Sequence, residues 1–485
     1  MKKLTSYLLS LAMLFAIPIV LVGCGEIYIP QLPVENHVVR NPWGYYCHIP
    51  EEERVTVNVS GQQIDDERLA QMVRSGEIPA DVTHLNLRRN KITDISPLAE
   101  LTQLALFEIC GDWELGPHGE SVTIQDISQL SALVNLCCLY LGHFYTDNFD
   151  ALGGLNNLVR LVADNNRYFR NDNGSLSGAC VLAIGNLHNL TDLSVRISGW
   201  NIVNEYGRDV SQFQLFENLV NLRNLHISTT VISIIFPDFH WLSNQTRLET
   251  LSLSGVFKSL EGMQSLSELR DLRLSNRSNT SVSFFHCLEP LANLTNLKSI
   301  IIWDNDRITN IAPLGELTNL QYLQISSTKI SDIGPVANLT ELKSLSVSGE
   351  KISCIEPLRN LINLRNLSIS QTNVTDLSPL ADLPLSRISV WESPINNMGN
   401  SGFSFVEFLD LRFNGITDIS FLGRLPLPNL RILDITSNNI SSLSSLRTRN
   451  LPSIERIDFW NNNITEREAR AVTNRLNLQE HPGFG

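Results

Sequence analysis

A solenoid of short parallel strands is the fold class that this sequence predicts, on three observations. Leu317, Leu339, Leu361 and Leu383 recur every 22 residues, with nearly superposable text between them. Inside each unit an L-x-L segment alternates, the period of a short strand that sends two side chains into a core. The chain has 485 residues, too many for one ordinary globular core, and a stack whose units pack only on their neighbours escapes that limit.

The template is L-x-x-L-x-L-x-x-N/T-x-I-x-x-I-x-P-L-x-x-L. After the strand, I-x-x-I-x-x-L spacing near three suits a tight 3₁₀-like return. A Pro before the final Leu of many units keeps that return from growing into an α-helix. Strand pairs are expected at Leu85/Leu87, Phe107/Ile109, Leu139/Leu141, Leu161/Ala163, Leu193/Val195, Leu225/Ile227, Leu251/Leu253 and Leu272/Leu274. They continue at Ile300/Ile302, Leu323/Ile325, Leu345/Val347, Leu367/Ile369, Ile388/Val390, Leu409/Leu411, Leu433/Ile435 and Ile457/Phe459. These are about sixteen units, spanning residues 82–464, whose sheet would run about 70–80 Å at a strand spacing of about 4.8 Å. Extra residues at Gly111–Thr123, Arg167–Val181 and Gly199–Phe213 read as loops off the scaffold.

Asn90, Asn414, Asn438 and Asn462 stand at the turn that follows the strand, where an amide both donates to and accepts from unpaired backbone groups. Thr328 and Thr372 do part of this work, whereas Glu350 cannot, so its slot should be exposed or water-filled. Both ends of such a stack need caps. The segment "RVTVNVSGQQI", a helix near Asp65–Arg74 and the turn "SGEIP" form the first, within residues 53–81. Thr465-Glu466-Arg467-Glu468 is a capping-box sequence that starts the second, 465–485, with Ala469, Val472 and Leu476 on one helical face.

Residues 1–23 read as an export signal: the basic start Met1-Lys2-Lys3, then an apolar run from Tyr7 to Val22 interrupted by Pro18. A membrane-spanning helix is the rival, because the run is near the lower length limit. Leu21-Val22-Gly23-Cys24 resembles the bacterial lipobox, which implies acylation of Cys24 and a lipid anchor on the extracytoplasmic face of the cell membrane. Residues 24–52, with Pro30, Pro33 and Pro42, would tether the body to it. The net charge of −13 makes the chain a poor ligand for nucleic acid and gives it no attraction to anionic lipid. The other cysteines, Cys47, Cys110, Cys137, Cys138, Cys180, Cys287 and Cys354, contain no C-x-x-C. Export permits disulfides, yet Cys137 and Cys354 fall where small apolar residues fit, so buried free thiols are the expectation.

The runs "LNLRRNKITDISPLAEL" and "LDLRFNGITDISFLGRL" resemble the 22-residue leucine-rich repeats of bacterial internalins, over most of the chain. That resemblance implies a curved leucine-rich-repeat solenoid, strands on the concave face, 3₁₀ turns on the convex one, and protein or glycan recognition through the concave face. The chain departs from the family in showing no LPxTG tail and no immunoglobulin-like domain after the repeats, so a shared host receptor is not implied.

On an L-x-L strand the residues between and just after the leucines face outward, which singles out two groups. Trp303, Trp391 and Trp460, with Phe413 and Tyr140, are large aromatics at such slots; they are either binding anchors or covered by neighbouring strands. The serines between Trp303 and Trp391 would make a shallow polar floor. Asp410, Asp434 and Asp458 form a column of like charges that wants a cation, an arginine or water; Arg412 and Arg456 are near enough to serve. The column supplies too few oxygens for calcium, and the histidines lack metal-ligand spacing, so no metal or cofactor is expected. No nucleophile elbow or phosphate loop is present, and a carboxylate pair drawn from Asp112, Glu114 and Glu120 has nothing to aim it. The reading is a lipid-anchored, non-catalytic recognition module for protein or glycan. The alternatives are a structural envelope lipoprotein and, more remotely, a hydrolase acting through the inserted loops.

Overall fold

The computed structural model describes residues 49–110, 124, 126–142, 150–165, 183–197, 211–229, 235–276, 285–326, 329–400 and 402–478. They divide into two compact units, one ending at Val256 and the other starting at Phe257.

The N-terminal unit opens with β1 (Thr56–Asn58) and α1 (Asp66–Ser75). It continues with β2 (His84–Asn86), β3 (Leu106–Cys110), β4 (Cys138–Gly142), β5 (Arg160–Asn165), β6 (Asp192–Ile197), β7 (Asn224–Thr229), β8 (Ile235–Phe236) and β9 (Thr250–Phe257). Strands β1 to β7 pair in chain order and β7 pairs β9, all of them parallel. The C-terminal unit holds β10 (Asp271–Asn276), β11 (Ser299–Trp303), β12 (Tyr322–Ile325), β13 (Ser344–Ser348), β14 (Asn366–Ser370), β15 (Arg387–Trp391), β16 (Phe408–Asp410), β17 (Ile432–Asp434), β18 (Arg456–Asp458) and α2 (Glu466–Leu476). Its strands also form a parallel ladder in chain order.

Each L-x-L pair read from the sequence lies on or at the end of a strand, and both members are buried throughout. Strand β1 is the added strand that the segment "RVTVNVSGQQI" suggests for the front cap, and β8 is additional. The returns are short 3₁₀ turns, such as Ala312–Glu316, Gly334–Asn338, Glu356–Leu358 and Ser378–Leu380, each with Pro in its first two positions. Their buried Leu314, Val336, Leu358 and Leu380 meet the strand residues to close each coil's core.

Two asparagine ladders stitch the coils together. At the turn after the strand, the Asn438 amide donates to the carbonyls of Leu411 and Ile435, and its oxygen accepts from the N–H groups of Asn414 and Ile416. Asn90, Asn414 and Asn462 make the same kind of bridge. Asn305, which the sequence reading did not single out, joins them: it is fully buried and donates to the Phe285 carbonyl. Thr372 bonds Ser393 at the corresponding place, and Glu350 is exposed. A second ladder runs through the turn before the strand. There Asn135, Asn157, Asn189 and Asn221, and in the other unit Asn319, Asn363 and Asn429, donate to a carbonyl of the preceding coil.

At the front cap, the Asp65 carboxylate accepts from the Arg68 N–H, and α1 ends on Gly76 at φ 77°. At the back, Ala469, Val472 and Leu476 are buried as expected. The capping box forms only by half. Thr465 accepts from the Glu468 N–H at 3.3 Å, but the Glu468 carboxylate turns away and accepts from the Leu443 N–H at 2.8 Å. The last strand-and-turn coil offers it an unpaired backbone donor, so the side chain fastens α2 to the stack instead.

The thiols correct a second expectation. Cys137 is disulfide-bonded. Cys138 keeps a buried thiol outside any disulfide, while Cys287 and Cys354 are free but exposed. Cys354 occupies an outward position between the buried Ile352 and Ile355 of a return segment, where chain direction and not residue type decides exposure.

Candidate functional site

In the C-terminal unit the alternation of β10–β18 turns two outward columns to the open face of the sheet. One runs Arg273, Ile301, Gln324, Ser346, Ser368, Ser389, Asp410, Asp434 and Asp458, each in register with the next. Beside it, Ser275 pairs Trp303, Ser348 pairs Ser370, and Ser370 pairs Trp391. The Ser437 N–H to Trp460 carbonyl bond puts Trp460 beside Thr436 at the C-terminal end of that column.

Trp303, Trp391 and Trp460 are all half-buried. The Trp391 indole N–H is buried and meets no acceptor among the described residues, so the ring's polar edge is turned inward. Trp303 and Trp391 stand on strands four places apart, roughly 19 Å at the usual spacing. Between them the face carries Ser346, Ser368 and Ser370, half-buried, with Ser348 and Ser389 buried. Phe413 departs from the expectation. It sits in the left-handed turn after the strand, at φ 59°, and is 43% exposed there, off the strand face. The bulge-like turn at this slot takes the residue before the ladder position, whatever its type: Asp304, Gln371, Glu392, Ser437 and Asn461, which precede Asn305, Thr372, Ser393, Asn438 and Asn462, share the conformation.

The carboxylate column is satisfied from within. Asp410 is 1% exposed; Arg412 donates to both its oxygens, at 2.9 and 2.8 Å, and Ser389 donates at 3.0 Å. The same guanidinium lies 3.3 Å from Asp434, and Arg456 pairs with Asp458 at 2.8 Å. Burial pushes the Asp434 carboxyl above the usual range, although the Thr436 hydrogen bonds and Arg412 oppose it. The hydrogen bonds to Asp410 hold Arg412 firmly charged. Asp410 and Asp458 therefore present little to a partner, and the column works as a paired lid over its end of the sheet. Among the described residues no group of three or more His, Cys, Asp or Glu has the arrangement to hold a metal ion.

Tyr140 belongs to a separate cluster in the N-terminal unit. Arg160 donates to its hydroxyl at 3.3 Å and to Asp192 at 2.9 Å, and Asp192 also accepts from Thr191 and Asn224. Burial pushes the Tyr140 phenol up to about 12 and the Cys138 thiol up to about 11. Next to them Arg88 lies 3.6 Å from Glu108. Alternation alone could place these side chains on one face; it could not show that they bond one another across strands.

A family profile described as "Leucine Rich repeats (2 copies)" matches residues 318–360 and 405–448. The leucine-rich-repeat protein LIC12759 of Leptospira interrogans aligns over 87% of this chain and 95% of its own, with 19% identity and a TM-score of 0.51. The chain is a leucine-rich-repeat solenoid. An internalin of Listeria monocytogenes aligns over 84% of this chain and 87% of its own, with 24% identity and a TM-score of 0.45. The TLR13–ssRNA13 complex has a TM-score of 0.54 and 19% identity over 86% of this chain, which spans 59% of that receptor. No curated protein matches the sequence.

Other positions singled out in this leucine-rich-repeat chain lie outside the described residues: the signal segment 1–23, Cys24, Thr328, the loop carboxylates Asp112, Glu114 and Glu120, and most of the three inserted loops. No described helix is long and apolar enough to cross a membrane.

Proposed function

We propose that this leucine-rich-repeat protein is a cell-surface recognition module, anchored through a lipid on Cys24, that binds protein or glycan on the open face of its repeats without catalysis. One observation carries the reading: between Trp303 and Trp391 the face bears the Gln324 amide, small hydroxyls and no charged side chain, whereas arginines and carboxylates cover the face immediately beyond. A bare polar floor between two half-buried aromatics suits a chain-like ligand, because ring faces stack on apolar surfaces while hydroxyls exchange hydrogen bonds. The single-stranded RNA of the TLR13 complex is a less suitable ligand for this chain, whose net charge is −13. Under this reading Trp303→Ala and Trp391→Ala each weaken capture of the surface ligand at least about tenfold, the loss of one aromatic anchor, with the far-UV spectrum unchanged. Undiminished capture by both variants would remove the aromatic pair from the site.

A further inference from the structure

Strands β12, β13 and β14 carry the floor between Trp303 on β11 and Trp391 on β15. Ser344 pairs Asn366, Ser346 pairs Ser368 and Ser348 pairs Ser370, so the polar side chains stand in three rows that run across the strands. Among the described residues, the half-buried side chains of Ser344, Ser346, Asn366, Ser368 and Ser370 make no hydrogen bond to the protein. At the Trp303 end of the third row the Ser326 hydroxyl is buried and meets no partner among the described residues. Open donors and acceptors fixed on a rigid sheet call for complementary groups to face them.

No charge enters these rows. Arg387, on β15, lies over the Phe408 ring at 4.4 Å, on the next strand and away from the floor. Arg365, on the margin before β14, donates to the carbonyls of Ile362 and Leu364.

A ligand that crosses the strands meets like groups once per strand spacing, about 4.8 Å. An extended peptide advances about 3.3 Å per residue and turns like groups to one side every second residue, out of step with the rows. The floor strands are bonded on both sides, which leaves no edge for an added strand. Ser and Asn side chains are too short to wall a pocket for an apolar anchor. Pyranose rings joined equatorially through positions 1 and 4 advance by close to one strand spacing per ring. Such rings carry hydroxyls on their rims and C–H groups on their faces, which match the serine rows and the indoles at either end.

We propose that the ligand of this face is a linear, uncharged glycan of 1,4-linked pyranose rings, laid across the strands with one ring to each strand. The inference rests on recognition at the floor between Trp303 and Trp391, and it names the ligand class.

Calorimetric titration of the full chain, in a detergent without a sugar headgroup, tests this with β-1,4-linked gluco-, manno- and N-acetylgluco-oligosaccharides of two to six rings. In at least one series the affinity should rise with ring number and level off at about five, the number that four strand spacings accommodate. In that series Trp391→Ala should lower the six-ring affinity about tenfold and bring the plateau to shorter chains. Absence of binding in all three series, an affinity indifferent to ring number, or tighter binding of a uronate-bearing hexasaccharide overturns the inference. If Trp303→Ala and Trp391→Ala then still weaken capture of a surface protein, only the ligand class falls. If neither variant changes any capture, the recognition site falls with it.

Discussion

Two stretches of one open face, β13–β15 and β16–β18, share a backbone register and differ in almost everything their outward side chains do. On the first, Ser346 and Ser368 face solvent between Trp303 and Trp391. On the second, Arg412 bridges Asp410 and Asp434 while Arg456 holds Asp458. The scaffold tolerates both because its stability lies behind the sheet, in the L-x-L core and the asparagine ladders. What differs is how much of the face remains for something else. Charges long enough to reach one another consume their own hydrogen-bonding capacity, and short hydroxyls do not.

The largest effect should come from the ladder that both stretches stand on. Asn438→Ala would strand the buried N–H groups of Asn414 and Ile416, so we expect a loss of about 3 kcal/mol in denaturant unfolding followed by far-UV circular dichroism. A loss under about 1 kcal/mol would show that water replaces the amide.

Removing the paired lid should cost less. Arg412→Ala leaves the Asp410 carboxylate buried with only the Ser389 hydroxyl and the backbone N–H of residue 412, and we expect about 2 kcal/mol, below the usual figure for a buried pair because the arginine is partly exposed. Adding Asp410→Asn should restore part of it; a double variant no better than the single one would mean that the ion pair is not the cause.

The smallest effect of the series is pH-dependent. The Asp434 carboxyl is raised in the folded protein, so the native state holds its proton more tightly than the unfolded chain does. Its contribution therefore favours folding below about pH 4 and is lost as pH rises through the raised value. Relative to Asp434→Asn, the wild type should lose stability over that rise, and parallel stability curves for the two proteins would contradict the assignment.

Much of this architecture is legible in the sequence because a buried pair repeated at fixed spacing leaves one frame that fits. Leu345/Val347 and Leu367/Ile369 are core on both sides of the register for that reason. The caps were readable from Thr465 and Asp65, although the direction of the Glu468 side chain depended on a neighbour 25 residues away. Asn305 escaped notice behind Trp303 and Asp304, and the second ladder escaped because Asn319 and Asn363 look like ordinary polar filler until the preceding coil's carbonyl is beside them. Of the candidate site, the columns were visible but their satisfaction was not. Periodicity assigns Asp410 to an outward slot, yet its burial comes from Arg412 folding back and Ser389 leaning in. Phe413 was assigned to the face because periodicity does not register a left-handed turn.

The most direct test of recognition through the bare stretch is to fill it. A soluble form starting at Gly25 and carrying Ser346→Arg and Ser368→Arg should keep its unfolding free energy within about 1 kcal/mol of the parent, since both half-buried serines point outward from the sheet. Immobilised beside the parent and probed with surface proteins and glycans, it should fail to retain the ligand that the parent retains. Equal retention by the two would contradict recognition at this stretch of the sheet.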